Sequence, residues 1–124
     1  FWAQPQPALL ALESALEASA DEMDPGMRGR ITHILGYVHY HLSDYAQALE
    51  YQREALECNR QIRDHNRIAW NLMDVGFLHL KLGRFAKAKE CLLDSLARAR
   101  KIAARPAEAY AGTLMGDWEL YYGD

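Results

Sequence analysis

ILGYVHYHLSDYAQALEYQREAL (Ile34–Leu56) and DVGFLHLKLGRFAKAKECLLDSL (Asp74–Leu96) are two stretches of this chain that resemble each other at a constant offset. This offset aligns Gly36 with Gly76, and applied once more it aligns Gly76 with Gly116. A fixed period of roughly 20 to 50 residues indicates structural units that stack in a row. Small and apolar residues also align in three copies: Ala8 with Ala48 and Ala88, Ala15 with Ala55 and Ser95, and Leu16 with Leu56 and Leu96.

Each repeat is predicted to consist of two helices. Apolar residues at Ile31, Leu35, Val38 and Leu42 recur at spacings of three and four, which is the period of an α-helix. No alternation of apolar and polar residues, as a strand would require, persists along the chain. The predicted helices span residues 6–20, 25–42, 44–62, 65–82, 84–102 and 106–122.

The ends of the predicted helices have residue types that favour starting or stopping a helix. Asp24 before Pro25 combines an N-cap with a first-turn proline, and Asp64 occupies the same place one repeat later. Gly83 stands where a helix should stop, and Ser43 fills that place in the first repeat. The expected turns therefore follow the same period as the expected helices.

Glycines inside the predicted helices indicate close packing. A glycine within a helix costs about 1 kcal/mol relative to alanine. That cost is tolerable at Gly36 and Gly76 if a neighbouring helix approaches there. Ala48 and Ala55 are expected to permit the same approach from the partner helix.

These residues resemble the tetratricopeptide repeat, whose pattern reads W-x2-L-G-x2-Y, followed by A-x3-F and then by A and P. The first part corresponds to Thr32-x2-Leu35-Gly36-x2-His39, Leu72-x2-Val75-Gly76-x2-His79 and Gly112-x2-Met115-Gly116-x2-Glu119. The second part corresponds to Ala48-x3-Gln52 with Ala55, and to Ala88-x3-Leu92 with Ser95. The Trp, Tyr and Pro of the pattern are absent from these positions.

The resemblance implies a fold and a class of function. The usual period of this family is about 34 residues, and the interval from Gly36 to Gly76 is longer, so this chain is similar to a longer-helix subclass. That subclass occurs in Leu-Gly-Asn-repeat regulators of G-protein signalling and in the sensor arms of large bacterial transcriptional activators and signalling ATPases. It implies an all-α, right-handed solenoid of antiparallel helix pairs with a concave groove. It also implies binding of peptides, protein segments or, less often, small effectors, without catalysis.

The phase of the repeat divides the chain. Residues 1–124 are interpreted as a single array fragment. Its parts are the second helix of a preceding repeat (1–22), two whole repeats (23–62 and 63–102) and the first helix of a following repeat (103–124). A repeat buries its apolar face only against a neighbour. Self-association through the terminal helices is therefore expected.

In the family that this chain resembles, the first helix of each pair lines the concave groove. The corresponding residues here are Arg30, His33, Tyr37, Tyr40 and His41, then Trp70, Met73, Phe77 and Lys81, then Tyr110, Thr113, Asp117 and Tyr121. Family members that grip a terminal carboxylate use Asn and Lys where this chain has Tyr37 and Phe77, so no carboxylate clamp is expected. Six aromatic residues on one surface favour an aromatic-anchored partner. The alternative is that Tyr37 and Phe77 belong to the core between repeats.

Composition excludes several classes of partner. Residues 1–62 contain 4 Lys/Arg and 9 Asp/Glu, a balance of −5, whereas residues 63–124 contain 10 and 8, a balance of +2. Direct binding of nucleic acid is not expected without a strong basic patch. No apolar run reaches the roughly 18 residues that span a membrane. Cys58 and Cys91 are expected to be reduced thiols of a cytoplasmic protein.

The sequence favours neither catalysis nor a cofactor. No nucleophile-elbow, P-loop or dinucleotide-binding motif is present. His33 and His41 are eight residues apart, about 12 Å along a helix, which is too far for one metal ion. His39 and His79 are expected to pack between paired helices. The predicted function is a non-catalytic protein- or peptide-binding module within a larger scaffolding or regulatory protein; the alternative is an effector-sensing arm of a signalling or transcription-regulating protein.

Overall fold

A computed structural model describes residues 6–18 and 22–102 of the chain. The described residues form α1 (Gln6–Ala18), α2 (Pro25–His41), α3 (Tyr45–Gln61), α4 (His65–Lys81) and α5 (Phe85–Lys101). Each of these five helices ends within two residues of its predicted boundaries. The predicted helix over 106–122 lies outside the described residues.

The helices reproduce the period of the sequence. Helices α2 to α5 are 17 residues long, and three residues join each to the next. The interval from the start of α2 to that of α4 equals the interval from the start of α3 to that of α5, and both equal the offset between Gly36 and Gly76. Connections this short place consecutive helices antiparallel. The described part of the chain is therefore an all-α array of helical repeats.

Aspartate side chains start three of the four long helices. Carboxylate oxygens of Asp24, Asp44 and Asp64 accept hydrogen bonds from backbone N–H groups three residues later, at 3.0, 3.3 and 3.1 Å. These bonds satisfy donors that the first turn of a helix leaves unpaired. At the start of α5 the same place is occupied by Arg84, whose side chain makes no capping bond.

A left-handed residue ends each of α2, α3 and α4. Ser43, Arg63 and Gly83 have φ angles of 60°, 56° and 76°. At the first of these ends, the backbone N–H of Asp44 donates to the carbonyl of His39 at 2.9 Å, which is one bond of a Schellman motif. The predicted stops at Ser43 and Gly83 are thus confirmed, whereas at Arg63, which follows the predicted helix 44–62, the left-handed conformation was not foreseen.

Each described helix packs against the next one along the chain. Leu35 of α2 packs against leucines of α1, and Leu49 of α3 packs against Leu78 of α4. Further along the array, Ala69 of α4 meets Ala99 of α5. The core therefore consists of apolar contacts between consecutive helices along the array. The faces of the helices that do not take part in these contacts form its surface.

The two glycines that align in the repeat, Gly36 and Gly76, lie where helices touch. A Cβ atom added to Gly36 would come within 2.7 Å of the Gln52 side chain, and one added to Gly76 within 2.9 Å of the Leu92 side chain. Ala48 and Ala55 in the partner helix are fully buried. The predicted close packing is confirmed, and the side chain that packs against Gly36 is the polar Gln52.

Candidate functional site

Two adjoining clefts lie between α2 and α4, with α3 beneath them. The first, here called the aromatic cleft, has a volume of about 350 Å³. It is lined by His33, Gly36, Tyr37 and Tyr40 of α2, Gln52 of α3, and Trp70, Met73, Asp74, Phe77 and Leu78 of α4. The second, here called the basic cleft, has a volume of about 380 Å³. It is lined by Gly29, Arg30, His33, Ile34, Asn59, Arg67, Trp70 and Asn71.

His33 and Trp70 line both clefts, so the two adjoin, and together they are here called the groove. This groove gathers seven of the residues that the family resemblance placed on the concave surface. They are Arg30, His33, Tyr37, Tyr40, Trp70, Met73 and Phe77. The four predicted in the third repeat, Tyr110, Thr113, Asp117 and Tyr121, lie outside the described residues.

The remaining two predicted residues lie at the margin of the groove. The His41 ring packs edge-on against Tyr37, with a centroid distance of 4.3 Å. The Lys81 Nζ atom lies 5.3 Å from the centre of the Phe77 ring, in cation–π range. Neither side chain lines a cleft, but both contact rings that do.

The aromatic rings differ in how far they belong to the core. Tyr37 is 58% exposed, so it is a surface ring. Phe77 is half-buried against Met73, which is only 3% exposed, and its ring lies 5.6 Å from that of Tyr40. The alternative that these two rings belong to the core between repeats is therefore wrong for Tyr37 and partly right for Phe77. Met73 contributes to the floor of the cleft.

A chain of buried amides underlies the groove. The Gln52 Oε1 atom lies 3.1 Å from His33 Nδ1, and Gln52 Nε2 donates to the His33 carbonyl at 3.3 Å. Asn71 Nδ2 donates to the same Oε1 at 3.5 Å, and Asn59 donates to Asn71 Oδ1. Because Gln52 Oε1 is the acceptor, we assign the His33 ring proton to Nδ1. The network ties α3 to both walls and holds the His33 ring in place.

Asp74 introduces a carboxylate into the aromatic cleft. Its Oδ2 atom lies 3.8 Å from His33 Nδ1, beyond normal hydrogen-bond length. The side chain is 32% exposed. Burial raises the pKa of Asp74 to about 6, and a positive charge on His33, where its ring is protonated, acts in the opposite direction. The groove thus has an acidic group in one cleft and two arginines, Arg30 and Arg67, in the other.

Sequence reasoning missed Asp74 and the amide network. Comparison of the two repeats could have revealed these residues, because each is polar at a position where the other repeat has an apolar residue. The aligned pairs, one repeat apart, are Ile31 with Asn71, Ile34 with Asp74, Gln52 with Leu92, and Asn59 with Ala99. His33 follows the same rule, since it aligns with Met73. Positions at which the two repeats differ in polarity therefore indicate the groove residues better than positions at which the repeats agree.

Other polar and reactive groups have structural surroundings. His39 and His79 are buried, as predicted, and burial lowers the pKa of His79. Cys58 and Cys91 are free thiols whose pKa burial raises, so their reactive thiolate forms are disfavoured. Within 6–18 and 22–102, no group of three or more His, Cys, Asp or Glu side chains is arranged to hold a metal ion.

None of the five described helices is both long enough and apolar enough to cross a membrane.

Comparison with known proteins gives one family. A family model of the tetratricopeptide repeat matches residues 28–101, which is more than half of the chain and includes nearly all of α2 to α5. Comparison with curated protein sequences gives no significant match.

Proposed function

The chain belongs to the tetratricopeptide repeat family, whose repeats generally mediate protein–protein interactions, and from this premise we propose that its groove binds an extended segment of a protein partner. The segment would lie between α2 and α4 and contact both clefts. The proposed role is that of a non-catalytic binding module in a cytoplasmic scaffolding or regulatory protein, with repeats 23–62 and 63–102 of the longer-helix subclass.

The observation that supports this proposal is the convergence of rings from two repeats. Tyr37 and Tyr40 of α2 and Trp70 and Phe77 of α4 line one cleft. Aromatic side chains are enriched among the residues that dominate binding energy. The cleft is open and adjoins the basic cleft at His33 and Trp70, an arrangement that suits an extended chain segment.

An effector-sensing role is the second candidate. The aromatic cleft, at about 350 Å³, falls within the range of roughly 300 to 1,000 Å³ in which small ligands are commonly held. The buried amides beneath it would give such a ligand defined polar contacts. A small molecule would be expected to fill one cleft, whereas a protein segment would contact both.

The proposal can be tested with peptides selected from a displayed library of random dodecapeptides. Tyr37→Ala and Trp70→Ala should each weaken binding of a selected peptide by about 1 kcal/mol or more, measured by fluorescence anisotropy. Leu93→Ala removes a similarly exposed apolar side chain from α5 and should change the affinity little. Equal losses in all three variants would contradict binding in the groove.

A further inference from the structure

Asp74 is an anion without a matched partner. Within residues 6–18 and 22–102 its carboxylate accepts no hydrogen bond, and its one close titratable neighbour is His33, whose Nδ1 atom lies 3.8 Å from Oδ2. The proton on His33 Nδ1 is directed to Gln52 at 3.1 Å, so it does not serve the carboxylate. A partly buried carboxylate is costly unless a cation or donors compensate it. The aromatic cleft therefore presents a carboxylate, 32% exposed, that is free to pair with a cation from a partner.

The walls of this cleft suit a planar cation. Faces of aromatic rings attract cations electrostatically. At the rim of the cleft, Lys81 already lies over Phe77 at 5.3 Å, whereas its ammonium group forms no ion pair with Asp74. An arginine side chain combines a flat guanidinium that stacks on rings with a paired set of donors that matches a carboxylate. A lysine ammonium would offer the charge without that geometry.

We propose that the aromatic cleft receives an arginine side chain of the bound protein segment, with its guanidinium paired to Asp74 and stacked against the surrounding rings. This inference rests on the proposed function, because the arginine belongs to the segment that occupies the groove. The basic cleft has Arg30 and Arg67 among its lining residues, with Arg67 paired to Asp64 at 3.3 Å, and no carboxylate lines it, so the gain from arginine is expected at the aromatic cleft. The proposal thus specifies which side chain of the bound segment is preferred and which cleft that side chain occupies.

The test uses the full chain and peptides selected on it from the displayed dodecapeptide library. The tightest peptide is synthesised in three forms, with arginine, citrulline or lysine at the position of the shared arginine. Citrulline has nearly the same shape as arginine but no charge. Dissociation constants are measured by fluorescence anisotropy for the original chain, Asp74→Asn and Asp94→Asn. The last is the matched control, since Asp94 pairs with Arg98 on α5, away from the groove.

We expect selected peptides to share an arginine, and citrulline to weaken binding at least about tenfold, as loss of a charged hydrogen bond does. Asp74→Asn should weaken the arginine peptide to a similar extent and leave the citrulline peptide unchanged. Asp94→Asn should leave both unchanged. Lysine should bind more weakly than arginine.

Other results separate the two levels of the proposal. Peptides that require Tyr37 and Trp70 but contain no shared arginine, or bind Asp74→Asn and the original chain equally, would leave groove binding intact and overturn the role of Asp74. Equal affinity of the lysine and arginine peptides would overturn the choice of guanidinium. Failure to select any peptide, or binding that ignores Tyr37 and Trp70, would overturn the groove function and the arginine site together.

Discussion

Asp74 combines a charge, partial burial and a place beside aromatic rings. The titratable groups that share its cleft are His33, Tyr37 and Tyr40, all from α2, while α3 contributes the uncharged Gln52. Burial holds the pKa of Asp74 at about 6, above its ordinary value of 3.8. A folded-state pKa above the unfolded one means that the folded protein binds the proton more tightly. The contribution of Asp74 to the free energy of unfolding must therefore fall as pH rises from about 4 to about 6.

The isosteric variant Asp74→Asn should remove this dependence. At pH 7.5 it should melt at a higher temperature than the original chain, because the folded state no longer contains the under-compensated charge. The difference should shrink towards pH 4, where Asp74 is protonated in the folded protein. Circular dichroism melts at pH 4, 5, 6 and 7.5 measure it. The control Asp94→Asn loses a surface ion pair worth about 0 to 1 kcal/mol and should not be stabilised. Parallel pH profiles for Asp74→Asn and the original chain would contradict the expectation.

At the scale of the element, the helices follow directly from periodic chemistry. The four long helices start at Pro25, Tyr45, His65 and Phe85, which are evenly spaced, and an aspartate precedes the first three. Arg84, at the cap position of the fourth helix, has nearly the same backbone conformation as Asp44, with φ −95° and ψ 71° against −92° and 72°. A cap that is absent from one of four equivalent positions is an isolated defect that a single substitution can repair.

Arg84→Asp should stabilise the protein by about 1 kcal/mol, since its carboxylate can accept from the backbone as the other three aspartates do. The negative charge would also interact favourably with the positive end of the α5 dipole. Urea unfolding measures the gain. Lys87→Ala, an exposed change in the same first turn, should shift stability by less than about 0.5 kcal/mol. A gain in Lys87→Ala equal to that in Arg84→Asp would show that removing positive charge, and not capping, is the cause.

Spacing along the helices accounts for part of the groove. Trp70, Met73 and Phe77 recur at intervals of three and four, so helical geometry alone brings them to one face of α4. Their degree of burial does not follow from spacing, because Met73 is covered by Leu92 of α5, a contact between residues far apart in sequence. Gln52 and Asp74 escaped prediction for a different reason: they occupy positions that the period assigns to apolar residues.

At the scale of the whole molecule, the first and last of the described helices, α1 and α5, have exposed apolar side chains. Leu9 and Leu16 of α1 are buried against α2, but Leu10 is 60% exposed. On α5, Leu93 is 47% exposed. Helical repeats cover such surface by stacking against a further unit. Residues of the predicted sixth helix that would share in this surface, such as Trp118, lie outside the described residues.

We therefore expect the full chain to self-associate as a dimer through its terminal helices, since a second copy can cover the exposed apolar side chains by end-to-end stacking or by exchanging helices. Sedimentation velocity over a hundredfold range of concentration should show the weight-average sedimentation coefficient rising with concentration. Leu10→Lys places a charge in the proposed contact and should shift the chain towards monomer. Met27→Lys changes a similarly exposed side chain, 53% accessible at the start of α2, and should not. A coefficient that stays at the monomer value throughout, or one that both variants lower equally, would show that the contact does not involve α1.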